Sequence, residues 1–363
     1  MHHRTPMTHR TSLPHRTVRI DVPTVLVANP TAQSGKAANV IQRARALLDA
    51  ANIRHTFLAT EPRGGTVEYV RRAIDHDGCR CVIYMGGDGT FAEVAKGILA
   101  SNHAATTVMA MLPLGTANDQ GKSFGLGAGK RALEQNVAVI AAGETASFDV
   151  GSLEVERAGK IVFRDLFFDS FSVGMAASSL ATRNRDRDRV RTVPGLAKIY
   201  RDYATYGGAL LQRFLETYFV QTKFDVDAII DGRLLHLPQV LDVIVKNTEI
   251  FGGEWVFDAE AASDDGRFEL ISIRGRRDLS LRMIAGFRHN PLGEDALSRV
   301  GLSVSETHNG ANFELIIKVA SGAWPGAQID GEEVPAGERY RIAVQPKALH
   351  LIVPHDFVEP AKV

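Results

Sequence analysis

The sequence predicts an α/β domain with a parallel sheet over residues 22–147, followed by a β-rich antiparallel domain over residues 148–337. Three observations predict this. Strand-like and helix-like apolar patterns alternate from Thr24 onward. A glycine-rich loop, Gly86-Gly87-Asp88-Gly89-Thr90, sits directly between one such strand and the next helix. After Asp149 the pattern changes to strands separated by turn dipeptides.

Thr24 to Ala28 reads as a short buried strand. Ala37, Val40, Ile41, Ala44, Leu47, Leu48 and Ala51 then recur at helical spacing. Ile53 to Leu58 is the next strand, and Val67, Val70 and Ile74 mark a second helix. Cys81 to Met85 is a strand, Phe91, Val94, Ala95, Ile98 and Leu99 share one helical face, and Thr106 to Leu112 is a further strand. Strands alternating with helices of this length imply right-handed crossovers and a sheet covered on both faces. In the second half, Ala158-Gly159 joins Leu153–Glu156 to Lys160–Phe163, and Asp231-Gly232 follows Asp225–Ile230. Such dipeptides between strands mark hairpins. One mostly helical stretch is expected over Pro194–Thr217. Residues 338–358 are expected to return to the first domain, and residues 1–21 read as a loose tail. A cleft between two such domains is a usual ligand site, and the active site is expected there.

Lysine plus arginine (42) balances aspartate plus glutamate (42), so no basic excess points to nucleic acid as a partner. No apolar run approaches the ~18 residues of a spanning helix. The first twenty residues carry histidines and arginines without an apolar segment, so no secretory signal is expected. Cys79 and Cys81 read as reduced core residues, which suits a cytoplasmic location.

The chemistry concentrates at the glycine loop. Three glycines remove nearly every Cβ from a tight turn, so backbone N–H groups can approach an anion closely. Thr90-Phe91-Ala92-Glu93 has the form of a capping box, which starts the helix at Thr90 and aims its positive end at the loop. Asp88 would repel a phosphate unless a Mg²⁺ lies between them. Two further loops should share this edge: Asn29-Pro30 to Ser34-Gly35-Lys36, and Leu114-Gly115-Thr116-Ala117-Asn118-Asp119. The first is not a Walker A loop, because Pro30 and Ala37 stand where glycine and a hydroxyl residue belong. Together these loops read as a nucleotide site.

These residues, with Asp149-Val150-Gly151, Phe171 to Gly174, Phe251-Gly252-Gly253, Asp265-Gly266 and Asp330-Gly331-Glu332, resemble the diacylglycerol kinase catalytic family, including its bacterial lipid kinases. The resemblance covers about residues 22 to 355, while the glycine loop alone is shared with NAD kinases. It implies ATP contacts at Asn29, Thr60, Gly86, Gly87, Asp88, Gly89, Thr90, Phe91, Ala92, Gly115, Thr116 and Asn118. It implies a catalytic Mg²⁺ organised by Asp88, Asp119 and Asp149, largely through water. A second, structural Mg²⁺ would be held by the carbonyls of Ala262 and Arg267 and the side chain of Asp265. Asp330 and Glu332 would face the substrate hydroxyl, with Glu332 accepting its proton. Two departures concern the acceptor pocket: Asp169 replaces a frequent asparagine, and Ala259 a usual proline.

The expected activity is therefore an ATP- and Mg²⁺-dependent lipid kinase acting on a lipid hydroxyl at the inner face of the membrane. A soluble-substrate kinase of NAD kinase type and a non-catalytic nucleotide- or lipid-binding module stand as alternatives. The oligomeric state, homo-oligomer included, stays open. Arg183 to Arg191 carries five arginines and two aspartates, which suits either a solvated loop or contact with anionic headgroups.

Overall fold

The computed structural model describes residues 16–18, 20–32, 37–115, 118–174, 177, 223–251, 255–256, 261–275, 278–279, 281–282, 306–319, 322, 324–355 and 357. Ser34, Gly35, Lys36, Thr116, the Arg183–Arg191 run, the helical stretch expected over Pro194–Thr217 and Ala259 lie outside these residues.

The first half runs β1 (Arg16–Thr17), β2 (Thr24–Ala28), α1 (Ala37–Ala50), β3 (His55–Ala59), α2 (Gly65–Asp75), β4 (Cys81–Gly86), α3 (Asp88–Leu99), β5 (Val108–Pro113), α4 (Asp119–Ser123) and α5 (Leu133–Ala142). The remainder is β6 (Glu144–Arg157), β7 (Lys160–Phe167), β8 (Ser170–Gly174), β9 (Phe224–Ile230), β10 (Arg233–Val240), β11 (Asp242–Lys246), β12 (Ile250–Phe251), β13 (Trp255–Val256), β14 (Phe268–Ile273), β15 (Thr307–Gly310), β16 (Asn312–Lys318), β17 (Ala327–Ile329), β18 (Glu332–Val334) and β19 (Arg339–Ile352).

The chain divides into two compact units. The first comprises residues 1–151, 247–267 and 344–363, and the second residues 152–246 and 268–343. Residues 247–267, which the sequence pattern groups with the β-rich region, cluster with the first unit.

In the first unit, β3, β2, β4 and β5 pair in parallel in that order, and the end of β19 adds a further parallel strand at His350 and Leu351. Every residue of β2 and β5 is buried, as are the first five of β4. That is the pattern of a strand covered on both faces. Ala37, Val40, Ile41, Ala44 and Leu48 of α1 and Leu133, Val137 and Ile140 of α5 pack on Leu26, Ile83, Met85 and Leu112. Helices α2 and α3 pack on each other through a glycine. A methyl group at Gly97 would lie 2.7 Å from Val70 Cβ and 2.8 Å from the Val67 carbonyl oxygen. The helices approach this closely because no side chain intervenes.

The second unit is antiparallel throughout its described strands. One sheet has the order β15-β14-β11-β8-β17-β18, and β10, β9, β16 and the first part of β19 form another run. Three hairpins turn on two consecutive residues with positive φ: Ala158-Gly159 (50°, 70°), Asp231-Gly232 (47°, 83°) and Asp330-Gly331 (47°, 81°). This is the type I′ geometry, whose twist matches that of the flanking strands and which favours glycine second. Asp330-Gly331, read in the sequence for its chemistry, is thus also the turn between β17 and β18.

Gly97→Ala forces α2 and α3 apart. The expected loss is about 1–3 kcal/mol of stability, read as a lower urea midpoint at unchanged m-value; a wild-type midpoint would contradict the close approach.

Candidate active site

The carboxyl ends of the parallel strands bring the expected nucleotide residues to one edge of the first unit. Ala28 pairs with both Ala59 and Met85, and Gly86 with Pro113. Asn29, Thr60, the Gly86 loop and Leu114-Gly115 therefore emerge at the same level of the sheet. Asn29 turns its own loop: its Oδ1 accepts the Thr31 N–H at 2.9 Å and the Thr31 hydroxyl at 2.8 Å. The Thr60 N–H donates to the Ala28 carbonyl at 3.0 Å, holding the end of β3 against β2.

Helix α3 starts at Asp88, with Gly87 as its N-cap in extended conformation, two residues before the start that the capping box at Thr90 suggests. The first intrahelical bond explains the difference. The Gly87 carbonyl accepts the Phe91 N–H at 3.1 Å, so Thr90 already lies inside the first turn. The N–H groups of Asp88, Gly89 and Thr90 precede that bond and are the ones a helix start offers to an anion. Phe91 itself is fully buried, its ring 5.5 Å from that of Tyr84 and 6.4 Å from that of Phe148. It is a core residue. Ala92 is half-buried in the same helix.

The glycine loop meets the next loop backbone to backbone. The Gly86 carbonyl accepts the Leu114 N–H at 2.7 Å and the Gly115 N–H at 3.2 Å. A methyl group at Gly115 would lie 2.5 Å from Gly87 Cα. Asn118 takes a left-handed conformation (φ 53°, ψ 47°) and spends both ends of its amide on Gly115. Its Oδ1 accepts the Gly115 N–H at 2.8 Å, and its Nδ2 donates to the Gly115 carbonyl at 2.7 Å. Buried to 1% exposure, it closes the loop on itself. Asp88 then joins the two loops: its Oδ2 accepts the Asn118 N–H at 2.9 Å and its Oδ1 the Gln120 N–H at 3.4 Å. The acid that seemed misplaced beside a phosphate thus braces the start of α4, where Asp119 occupies the first turn.

Asp149 is a third junction of the same unit and is fully buried. Its Oδ1 accepts the Lys347 N–H at 2.7 Å and its Oδ2 the Gly266 N–H at 2.6 Å. Its own N–H donates to the Ser263 carbonyl at 2.7 Å, and Asn247 Nδ2 donates to its carbonyl at 2.8 Å. It thereby ties residues 247–267 and 344–363 to β6. Burial pushes its carboxyl up to about 6, with Asp265 and Asp264 adding to the rise and the two backbone bonds opposing it. Ala262 is buried and Asp265 exposed in the turn that follows, where Asp265 Oδ1 accepts the Arg267 N–H at 2.9 Å.

In the second unit, Asp330 is cradled by three consecutive N–H groups. Its Oδ2 accepts from Phe168 at 2.9 Å, and its Oδ1 accepts from Asp169 at 2.7 Å and from Ser170 at 3.1 Å. Burial pushes its carboxyl up to about 7, and the neighbouring negative charge of Asp169 adds to this, against the pull of the three donors. Glu332 follows the turn as the first residue of β18 and is exposed. Asp169, noted as a departure, forms an ion pair at 2.7 Å with Lys246, whose side chain is 1% exposed. The sequence signal for this pair is a lysine directly after the apolar run Val243 to Val245.

A glycine loop opening a helix at the carboxyl edge of a parallel sheet is an arrangement with which α/β proteins hold phosphate groups. Comparison with known proteins makes the class specific. Residues 23–153 match the model of the diacylglycerol kinase catalytic domain. A protein of Enterobacter sp. (strain 638) named "Probable lipid kinase YegS-like" is 33% identical over 94 residues, 26% of this chain and 30% of that one. A protein of the same name from Pseudomonas aeruginosa (strain UCBPP-PA14) is 27% identical over 281 residues, 76% of this chain and 78% of that one. The crystal structure of a diacylglycerol kinase from Bacillus anthracis str. Sterne superposes with a TM-score of 0.64 at 17% identity, covering 93% of this chain and 98% of that one. Over residues 23–153 the chain thus matches the diacylglycerol kinase catalytic domain, its longer matches are to proteins named as probable lipid kinases, and it is a kinase.

The raised Asp149 carboxyl sets a sign for pH dependence. A carboxyl that binds its proton more tightly when folded makes the folded state relatively more stable as pH falls. In metal-free buffer, wild type should therefore gain stability relative to Asp149→Asn between pH 7 and pH 4, by at most about 3 kcal/mol. Urea titrations of both proteins read this, and a constant or shrinking difference would contradict it.

Proposed function

We propose that the protein is an ATP- and Mg²⁺-dependent lipid kinase that transfers the γ-phosphoryl group to a hydroxyl of a diacylglycerol-like lipid at a membrane surface. The observation that carries this reading is the glycine loop at the start of α3, braced to the 115–118 loop by Asp88. It lies inside the stretch that matches the diacylglycerol kinase catalytic model. The names of the relatives supply the lipid class of acceptor. Among the described residues, no helix is long and apolar enough to cross a membrane, which suits peripheral contact with the bilayer.

Carboxylate and carbonyl oxygens are hard donors of the type that magnesium takes. Among the described residues, no three His, Cys, Asp or Glu side chains cluster as a metal cage. Mg²⁺ rarely uses such a cage; it keeps waters and takes one or two carboxylates plus substrate phosphates. Asp88, Asp119 and Asp149 would organise it largely through those waters, and Ala262, Asp265 and Arg267 are proposed for a second, structural ion. When bound, the metal neutralises charge developing on the phosphates.

The chain's own groups do the rest. The N–H groups at the start of α3 bind phosphate oxygens, and the Gly115–Asn118 clamp holds the facing loop in place. Asp330 orients the acceptor, and Glu332 takes the hydroxyl proton as the hydroxyl oxygen bonds to phosphorus and the bond from phosphorus to ADP breaks. A carboxylate is a weak base for an alcohol. It suffices because phosphoryl transfer passes through a loose transition state dominated by positioning and charge.

Purified protein with magnesium and labelled ATP should phosphorylate vesicles made from a total lipid extract, and mass analysis of the product identifies the acceptor. Asp88→Ala and Glu332→Gln should each lower the rate about 10²–10⁴-fold. Label entering NAD and no lipid would overturn the acceptor class, and full activity of Asp88→Ala would overturn the assignment of the loop.

A further inference from the structure

The second unit holds a buried ion pair that the reaction scheme does not use. Lys246 ends β11 opposite Ser170 of β8 and Glu269 of β14. Its Nζ lies 2.7 Å from Asp169 Oδ1, and Asp169 Oδ2 accepts the Ser170 hydroxyl at 3.1 Å. Lys246 and Asp169 are 1% and 7% exposed. Burying two charges costs several kcal/mol per ion, so an ion pair this deep is weak evidence for stability. Its location offers another role. Asp169 is the middle of the three residues whose N–H groups cradle Asp330. The Asp330 N–H returns a bond to the Ser170 carbonyl at 2.9 Å, and the Gly331 N–H donates to Gln328 Oε1 at 2.7 Å. Gln328 Nε2 in turn donates to Ser172 Oγ at 2.9 Å.

From this geometry we infer that Asp169 and Lys246 are positioning residues for the acceptor side: the pair holds the 168–170 cradle in register and sets the charge that Asp330 meets. The inference rests on the reading of Asp330 and Glu332 as acceptor-side acids. Two mechanisms act together. Lys246 pins the Asp169 side chain from the neighbouring strand, which fixes the direction of the N–H groups at 168–170. Lys246 also offsets the negative charge that Asp169 places beside Asp330, a charge that with burial favours the protonated carboxyl. The other charged residues on the elements around Asp330 are Lys160, Arg164 and Asp165 on β7, Asp242 on β11, Glu269 on β14, and Glu332 and Glu333 on β18. Lys246 lies 2.7 Å from Asp169 and stands opposite Glu269 in the ladder.

The two partners should then perturb Asp330 in opposite directions. Lys246→Met leaves two carboxylates side by side and makes ionisation of Asp330 harder. Asp169→Asn removes the like charge and leaves the ammonium, which makes ionisation easier. A displacement of about one pH unit is the scale for gain or loss of one close charge.

The experiment is the pH profile of lipid phosphorylation at saturating ATP, for wild type, Lys246→Met, Asp169→Asn and the double variant. The acidic limb should move up by about one pH unit in Lys246→Met, down by about as much in Asp169→Asn, and return between them in the double variant. The KM for ATP should stay within twofold in each. Because a lone buried charge can unfold the unit, the downward shift in Asp169→Asn alone, or an intermediate limb in the double variant, also supports the inference. Shifts in the same direction overturn it, and so does a fall in activity that follows thermal stability with no movement of the limb. Asp330→Asn separates the two readings. If it keeps full activity, the acceptor-side reading fails; if it is inactive while the pair variants leave the limb in place, only this inference fails.

Discussion

In this protein buried or half-buried carboxylates collect backbone N–H groups from segments far away in the chain, and the loops around them depend on that interaction. Asp88 collects the N–H groups of Asn118 and Gln120, Asp149 those of Gly266 and Lys347, and Asp330 those of Phe168, Asp169 and Ser170. Asp231 repeats the device at a plain hairpin, accepting from Ala311 and Asn312. An ionised carboxylate accepts at both oxygens, and each charge-assisted bond outweighs a neutral one. A loop with no regular ladder of its own can therefore be held in one conformation by a single acid.

That arrangement sets a balance at each acid. Withdrawal from water favours the protonated form, and the N–H donors favour the ionised one. At Asp149 and Asp330 withdrawal prevails, assisted by Asp265 and Asp264 in one case and Asp169 in the other. The donors keep both acids able to ionise within reach of neutral pH. In the first unit the consequence is rigidity. Gly87 and Gly115 touch without side chains between them, Asn118 closes one loop, and Asp88 joins it to the other, so the N–H groups at the start of α3 are held in place before any ligand arrives. Preorganised donors of this kind cost nothing to arrange at the moment of reaction.

Most of the scaffold was legible in the sequence because burial writes a period into it. The apolar runs of β2, β4 and β5 and the helical stripes of α1, α2 and α3 follow from covering a parallel sheet on both faces. Ala158-Gly159 and Asp231-Gly232 announced their hairpins because few residues tolerate two successive positive φ angles. The glycine loop was legible for the same steric reason. Other features carry no such trace. The partners of Asp149 are main-chain N–H groups, which any residue other than proline supplies, so neither Gly266 nor Lys347 could be singled out as a partner. Thr90-Phe91-Ala92-Glu93 looked like a helix start because a capping box and a first turn share residue types; only the bond to the Gly87 carbonyl separates them. Phe91 counted with the nucleotide residues by its place in the motif, yet an aromatic ring one turn into α3 faces the core. Lys246 was not singled out, because a lysine after Val243 to Val245 gains its meaning only from Asp169, 77 positions away.

One carboxylate, Asp88, holds Asn118 and Gln120 against the start of α3 in the ligand-free protein. Backbone amide hydrogen exchange of the ligand-free protein tests this most directly, comparing wild type with Asp88→Ala. The account predicts that protection at Asn118 and Gln120 falls by about tenfold or more, while the amides of β4 and β5 keep theirs. Unchanged protection at Asn118 and Gln120, or an equal loss spread across both strands, would contradict it.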